Sequence, residues 1–129
     1  MENHKIQHLN AIKGRVATFE DALRITGKTF IQHEFEEPDD VARKKAKIIT
    51  EALNTTEDGK KWEADYANHN QWKYYVWACD YKPGSGFSAF FCDYDYSLTF
   101  VGSRLAFASS ELALYAAKTF QEIYNEMLK

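Results

Sequence analysis

Cysteine is scarce in this chain, with two residues, Cys79 and Cys92, in 129. Two cysteines cannot staple a disulfide framework, and without further ligands they make no zinc site. The four histidines (His4, His8, His33 and His69) lie apart, with no metal-like spacing. An excess of either charge is also missing. Sixteen Lys and Arg stand against nineteen Asp and Glu, a net charge of −3. A domain that grips DNA or RNA by its phosphates carries a basic patch, so nucleic-acid binding is not expected. The one basic run, "RKKAK" (Arg43 to Lys47), reads as the solvated face of a helix. The acidity is too weak and scattered for a DNA mimic. No apolar run approaches the roughly 20 residues needed to span a membrane. The first residues, "MENHKIQHLN", are polar, so a secretory leader is not expected. The expected location is the cytoplasm, where both cysteines stay reduced. Walker loops and G-x-S-x-G elbows are absent, and "GSGF" precedes a strand pattern rather than a helix. Asp93 and Asp95 could pair as carboxylates, yet "CDYDYS" is ordinary turn chemistry. No catalytic residue, metal or cofactor is assigned, and the chain reads as a non-enzymatic protein.

Aromatic residues, by contrast, are abundant, and more than half of them fall between Gln71 and Phe107. A chain of 15.0 kDa that is 45% hydrophobic has material for one core, so residues 1–129 are read as one domain. Residues 1–15 show no clear period and read as a loose N-terminal arm or a short helix. "TFEDALRITG" is a clear helix signal. Thr18 can cap it, Asp21 can reach back, and Gly27 can end it in a left-handed conformation. "EEPDDVARKKAKIITEALN" is a second helix, with Pro38 and acidic residues at its start and Val41, Ile48, Ile49 and Leu53 facing a core. "NTTEDGKKWEADYANHNQ" is a polar connection that Trp62 and Tyr66 fasten to the domain. A last helix over about 110–127 is capped by Ser109 or Ser110. It carries Leu112, Ala116, Phe120, Ile123 and Met127 on one face.

From Trp72 the period changes to two. Strands are expected near Trp72–Tyr81, Gly86–Cys92 and Tyr96–Val101, with a further one over Ser103–Phe107, and "PGSG" turns the chain between the first two. The expected fold is α+β: an antiparallel sheet of three to four strands over about 72–107, packed by the C-terminal helix and two N-terminal helices.

Both faces of the first expected strand are largely apolar. Taking the Lys73 face as the outer one, Tyr75, Trp77 and Tyr81 form an exposed aromatic patch, which marks a partner, a ligand or self-association. In "VGSRLAF", Arg104 offers a planar fork suited to phosphate or carboxylate, beside Gly102 and Ser103. Rings to stack on a base, an arginine for phosphate and turn N–H groups near Ser85 together suit a nucleotide-like ligand. The plainer readings are a hairpin turn for "PGSG", a surface or salt-bridge role for Arg104, and core positions for the rings.

The strings "NHNQWKYYVW", "GSGFS" and "VGSRLAFASSELALYAAKTFQEIY" resemble a group of small proteins of Bacteroides-type phages and prophages that carries no established activity. The likeness covers the C-terminal half, with weaker support from "FEDAL" and the second helix. It implies a phage or mobile-element origin in a bacterial host cell, and no catalytic residue can be carried over from it. Small phage proteins outside the virion often act on host machinery, and sequestering a nucleotide immune signal is one such role. Two functions follow as expectations. One is a sponge for a small nucleotide-like ligand, using Tyr75, Trp77, Tyr81, Ser85, Ser103 and Arg104. The other is a protein–protein module whose aromatic face docks on a host or phage protein, or on a second copy as a homo-oligomer.

Overall fold

The computed structural model describes residues 10–68, 70–77, 81–82, 86–87, 91–94 and 103–127. Helices dominate them: α1 (10–15), α2 (Phe19–Thr26), α3 (Pro38–Leu53), α4 (Ser110–Thr119) and α5 (Gln121–Met127). The described part of the N-terminal segment is a short helix, with Ile12 and the following Val16 fully buried. The Tyr115 hydroxyl ties it down, donating to the carbonyls of Lys13 (3.2 Å) and Val16 (2.7 Å).

The boundaries of α2 come from local chemistry. Thr18 accepts from the Asp21 N–H, and Asp21 accepts from the Thr18 N–H, so two orphan donors of the first turn are satisfied. Gly27 closes the helix at φ 69°, where a side chain would be strained. Helix α3 starts on Pro38 and buries Ala42, Ala46, Ile49 and Leu53 at three- and four-residue spacing. Small residues there, and Ala113, Ala116 and Ala117 on α4, leave room for close helix packing in one apolar core. Ser109 caps α4 by accepting from Leu112 N–H. The C-terminal helix is divided at Phe120 (φ −114°, ψ 35°), and α5 turns to pack along α3 through Tyr124 and Met127.

The expected sheet of three to four strands is not present among the described residues. The strands are short and pair two by two. β1 (Tyr74–Trp77) pairs antiparallel with β4 (Phe91–Tyr94), and β2 (Tyr81–Lys82) pairs with β3 (Gly86–Phe87). The β2–β3 ladder brackets "PGSG", whose residues 83–85 lie outside the described residues, as does the whole of the expected strand Tyr96–Val101. Cys92 sits opposite Val76; Cys79 lies outside the described residues. The expected strand Ser103–Phe107 is instead a 3₁₀ turn, Ser103–Leu105, followed by a single bridge from Phe107 to Tyr74. The physical reason is visible in the burial. Leu105, Ala106 and Phe107 are consecutive and all buried, which breaks the one-face-in alternation of a half-exposed strand. The described residues are therefore mainly helical, with two small β pairs, rather than a sheet covered by helices.

Candidate functional site

A polar cleft of about 360 Å³ lies at the C-terminal end of α3. Lys47, Thr50, Glu51 and Asn54 come from one side of that helix. Lys28 arrives from the chain after α2, Lys61, Trp62 and Glu63 from the following loop, and Arg104 from the 3₁₀ turn.

Local folding explains why these distant residues meet. After Leu53 the chain reverses through a loop closed by a Thr55–Lys61 bridge and a bond from Thr56 N–H to Lys60 O (2.9 Å). Gly59, at φ 84°, supplies the left-handed step that the reversal needs. Lys61 and Trp62 are thereby laid beside the end of α3. Asn54 fastens both walls. Its backbone carbonyl accepts from Trp62 N–H (3.0 Å). Its side chain donates to Ala106 O (2.8 Å) and accepts from Ala108 N–H (3.0 Å). A buried amide thus holds the segment that begins with Arg104.

The charge in the cleft runs against that of the whole chain. Lys28, Lys47, Lys61 and Arg104 face only Glu51 and Glu63, whereas the chain as a whole carries −3. Glu51 Oε1 lies 3.3 Å from Lys28 Nζ and 3.6 Å from Lys61 Nζ. Lys47 and Arg104 have no ion-pair or hydrogen-bond partner among the described residues. Cations of this kind, set in a concave wall beside an indole, can hold a phosphate or carboxylate and cover a flat ring. Among the described residues no three His, Cys, Asp or Glu side chains are grouped to hold a metal ion, and no helix is long and apolar enough to cross a membrane.

Of the residues singled out from sequence, Arg104 is exposed and lines this cleft. It does so from a turn rather than a strand. Ser103 opens the same turn. Tyr75 does not belong to an exposed patch: it is 6% exposed, and its hydroxyl bonds that of Tyr66 at 2.7 Å. The Lys73 face is inside as well. Lys73 is fully buried, donates to Asn68 O (3.1 Å) and Gln71 O (2.9 Å), and lies 5.1 Å from the Tyr66 ring centre. A period of two with rings on both faces cannot say which face turns inward, and here the loop around Tyr66 covers the expected outer one. Trp77 ends β1 and Tyr81 starts β2; Ser85 lies outside the described residues. The ring that the structure does bring to Arg104 is Trp62. The available signal was its place in "GKKWEAD", a tryptophan directly after two lysines in a polar connection.

Comparison of the chain with protein-family models, with curated proteins and with solved structures finds no match.

Proposed function

We propose that this chain is a non-enzymatic binding protein of phage or mobile-element origin that sequesters a small nucleotide-like ligand, in the manner of a sponge for a host immune signal in the bacterial cytoplasm. The observation that carries the reading is the cleft: four cations and a tryptophan converge there in a chain that is acidic overall. Arg104 and Lys47 take the phosphate, Trp62 covers the base, and Lys28 and Lys61 flank the anion.

The test is thermal melting and calorimetry against a panel of mono-, di- and cyclic nucleotides. A ligand at about 100 times its Kd stabilises the fold by roughly 2.7 kcal/mol, a shift of several degrees for a domain of this size. Arg104→Ala is expected to weaken binding at least tenfold, since a charge-assisted hydrogen bond contributes on the order of 1.5–3 kcal/mol. The same substitution should change stability by no more than about 0.5 kcal/mol, because the side chain is exposed and has no partner among the described residues. A flat panel, or an Arg104→Ala protein that binds as well as the parent, sinks the reading and moves the function to a protein partner.

A further inference from the structure

Glu51 sits among the cations of the cleft, where an anion-binding site would ordinarily have no carboxylate. Its Oε1 is shared by Lys28 and Lys61, which approach from different segments of the chain at 3.3 and 3.6 Å. A phosphate oxygen in that position would receive the same two ammonium groups. Glu51 therefore occupies part of the seat with a built-in negative charge. It cannot swing far: its side chain is only 26% exposed, and its other oxygen is sealed from solvent. The two lysines are thus partly neutralised before any ligand arrives, whereas Lys47 and Arg104 have no ion-pair partner among the described residues. Counted over the lining, four cations against two carboxylates leave two net positive charges.

We infer that Glu51 sets the charge of the ligand, so that the cleft accepts dianionic nucleotides and discriminates against the more highly charged di- and triphosphates. This rests on the nucleotide reading above and deepens it. A phosphate monoester carries about −1.5 to −2 at neutral pH, which the cleft can match. Each further phosphate brings charge with no cation left to meet it, and meets Glu51 at close range in a site partly shielded from water. The size agrees: at about 360 Å³ the cleft is at the small end of ligand sites, which run from about 300 to 1,000 Å³. A nucleoside monophosphate and a cyclic dinucleotide share the charge of two, and only the first is small enough to be largely enclosed.

The experiment is calorimetry of the full chain with AMP, GMP, cyclic di-AMP, ATP and GTP in metal-free buffer at fixed ionic strength. The readout is the ratio of dianion to triphosphate affinity. The parent protein should favour the dianions. Glu51→Gln should lower that ratio by about two- to fivefold, the size of a partly exposed charge–charge contact. Lys28→Gln, an exposed lysine whose loss leaves Glu51 in place, should raise it. A parent that binds triphosphates more tightly, or a ratio that neither substitution moves, overturns the inference while leaving nucleotide binding intact. Failure of every nucleotide to bind overturns the underlying reading and the inference with it. A larger affinity for cyclic di-AMP than for AMP keeps the charge rule and identifies the larger dianion as the ligand.

Discussion

Two sides of helix α3 do different work. One presents Ala42, Ala46, Ile49 and Leu53 to the core shared with α2, α4 and α5. The other presents Lys47, Glu51 and Asn54 to the cleft. Both sets recur at three- and four-residue spacing, so each is a continuous stripe on one helix. The first is apolar and specified by volume. The second is charged and specified by which distant segments are brought to it. A rigid, well-buried stripe is what allows its neighbour to hold Lys47 and Glu51 in fixed places, because helix-borne groups are positioned more firmly than loop-borne ones.

The comparison breaks most visibly at Ile49, which is fully buried. Ile49→Ala should cost about 2–5 kcal/mol through lost burial and the cavity left behind. Urea unfolding measures it. The expected pattern is a lower midpoint with an unchanged nucleotide Kd in the folded fraction, since Ile49 does not line the cleft. A loss below about 1 kcal/mol would mean that the core stripe collapses around the gap and is less rigid than its burial implies.

Asn54 belongs to both stripes' neighbourhoods and should be felt by both measurements. Asn54→Ala leaves Ala106 O and Ala108 N–H without their partner, at about 1–3 kcal/mol for each buried group. Some of that is recovered if water enters from the cleft side. Unlike Ile49→Ala, this substitution should also weaken nucleotide binding, because the Asn54 side chain fastens the segment that begins with Arg104, while the backbone bond to Trp62 N–H survives. A destabilised protein with parental affinity would show that Asn54 supports the fold without positioning the cleft.

These two residues also mark what could be read from the sequence. Helix α2 was legible to the residue, because Thr18, Asp21 and Gly27 act within one turn of the positions they cap. The core stripe of α3 was legible because its spacing is periodic. The sheet was not. Whether Tyr74 pairs with Tyr94 and Phe107 depends on residues far along the chain, and a run of rings on both faces fits several registers. Arg104 stood out as a candidate from its own chemistry. Its companions did not, since Lys28, Lys47, Glu51 and Trp62 become neighbours only when α3 packs and the loop after it folds back. Trp62 was recognisable as a packed ring, but nothing local joined it to Arg104.

A third side of α3 offers the smallest and most selective effect. Lys44 Nζ donates to Glu36 Oε1 (2.8 Å) and to Ile31 O (3.0 Å), while Glu36 Oε1 also accepts from His33 N–H (2.7 Å). These bonds fix the turn before α3. The Lys44 hydrogen bond first, and the His33 N–H second, hold the Glu36 carboxyl below its ordinary value of 4.5. A carboxyl depressed in the folded state adds stability above its unfolded value. That contribution is lost as pH falls below 4.5 and through the folded value. Glu36→Gln should therefore lower stability slightly at neutral pH and flatten the acid limb of the curve beneath pH 4.5. Asp21, also depressed, chiefly by the Ala17 N–H, remains in the variant and keeps part of that limb. Because Glu36 borders neither the Ile49 core nor the Arg104 cleft, nucleotide affinity at neutral pH should not change. Urea midpoints measured from pH 7 down to pH 3 decide it. Parallel curves for parent and variant would show that the Lys44–Glu36 pair, half-buried as it is, contributes nothing to folding.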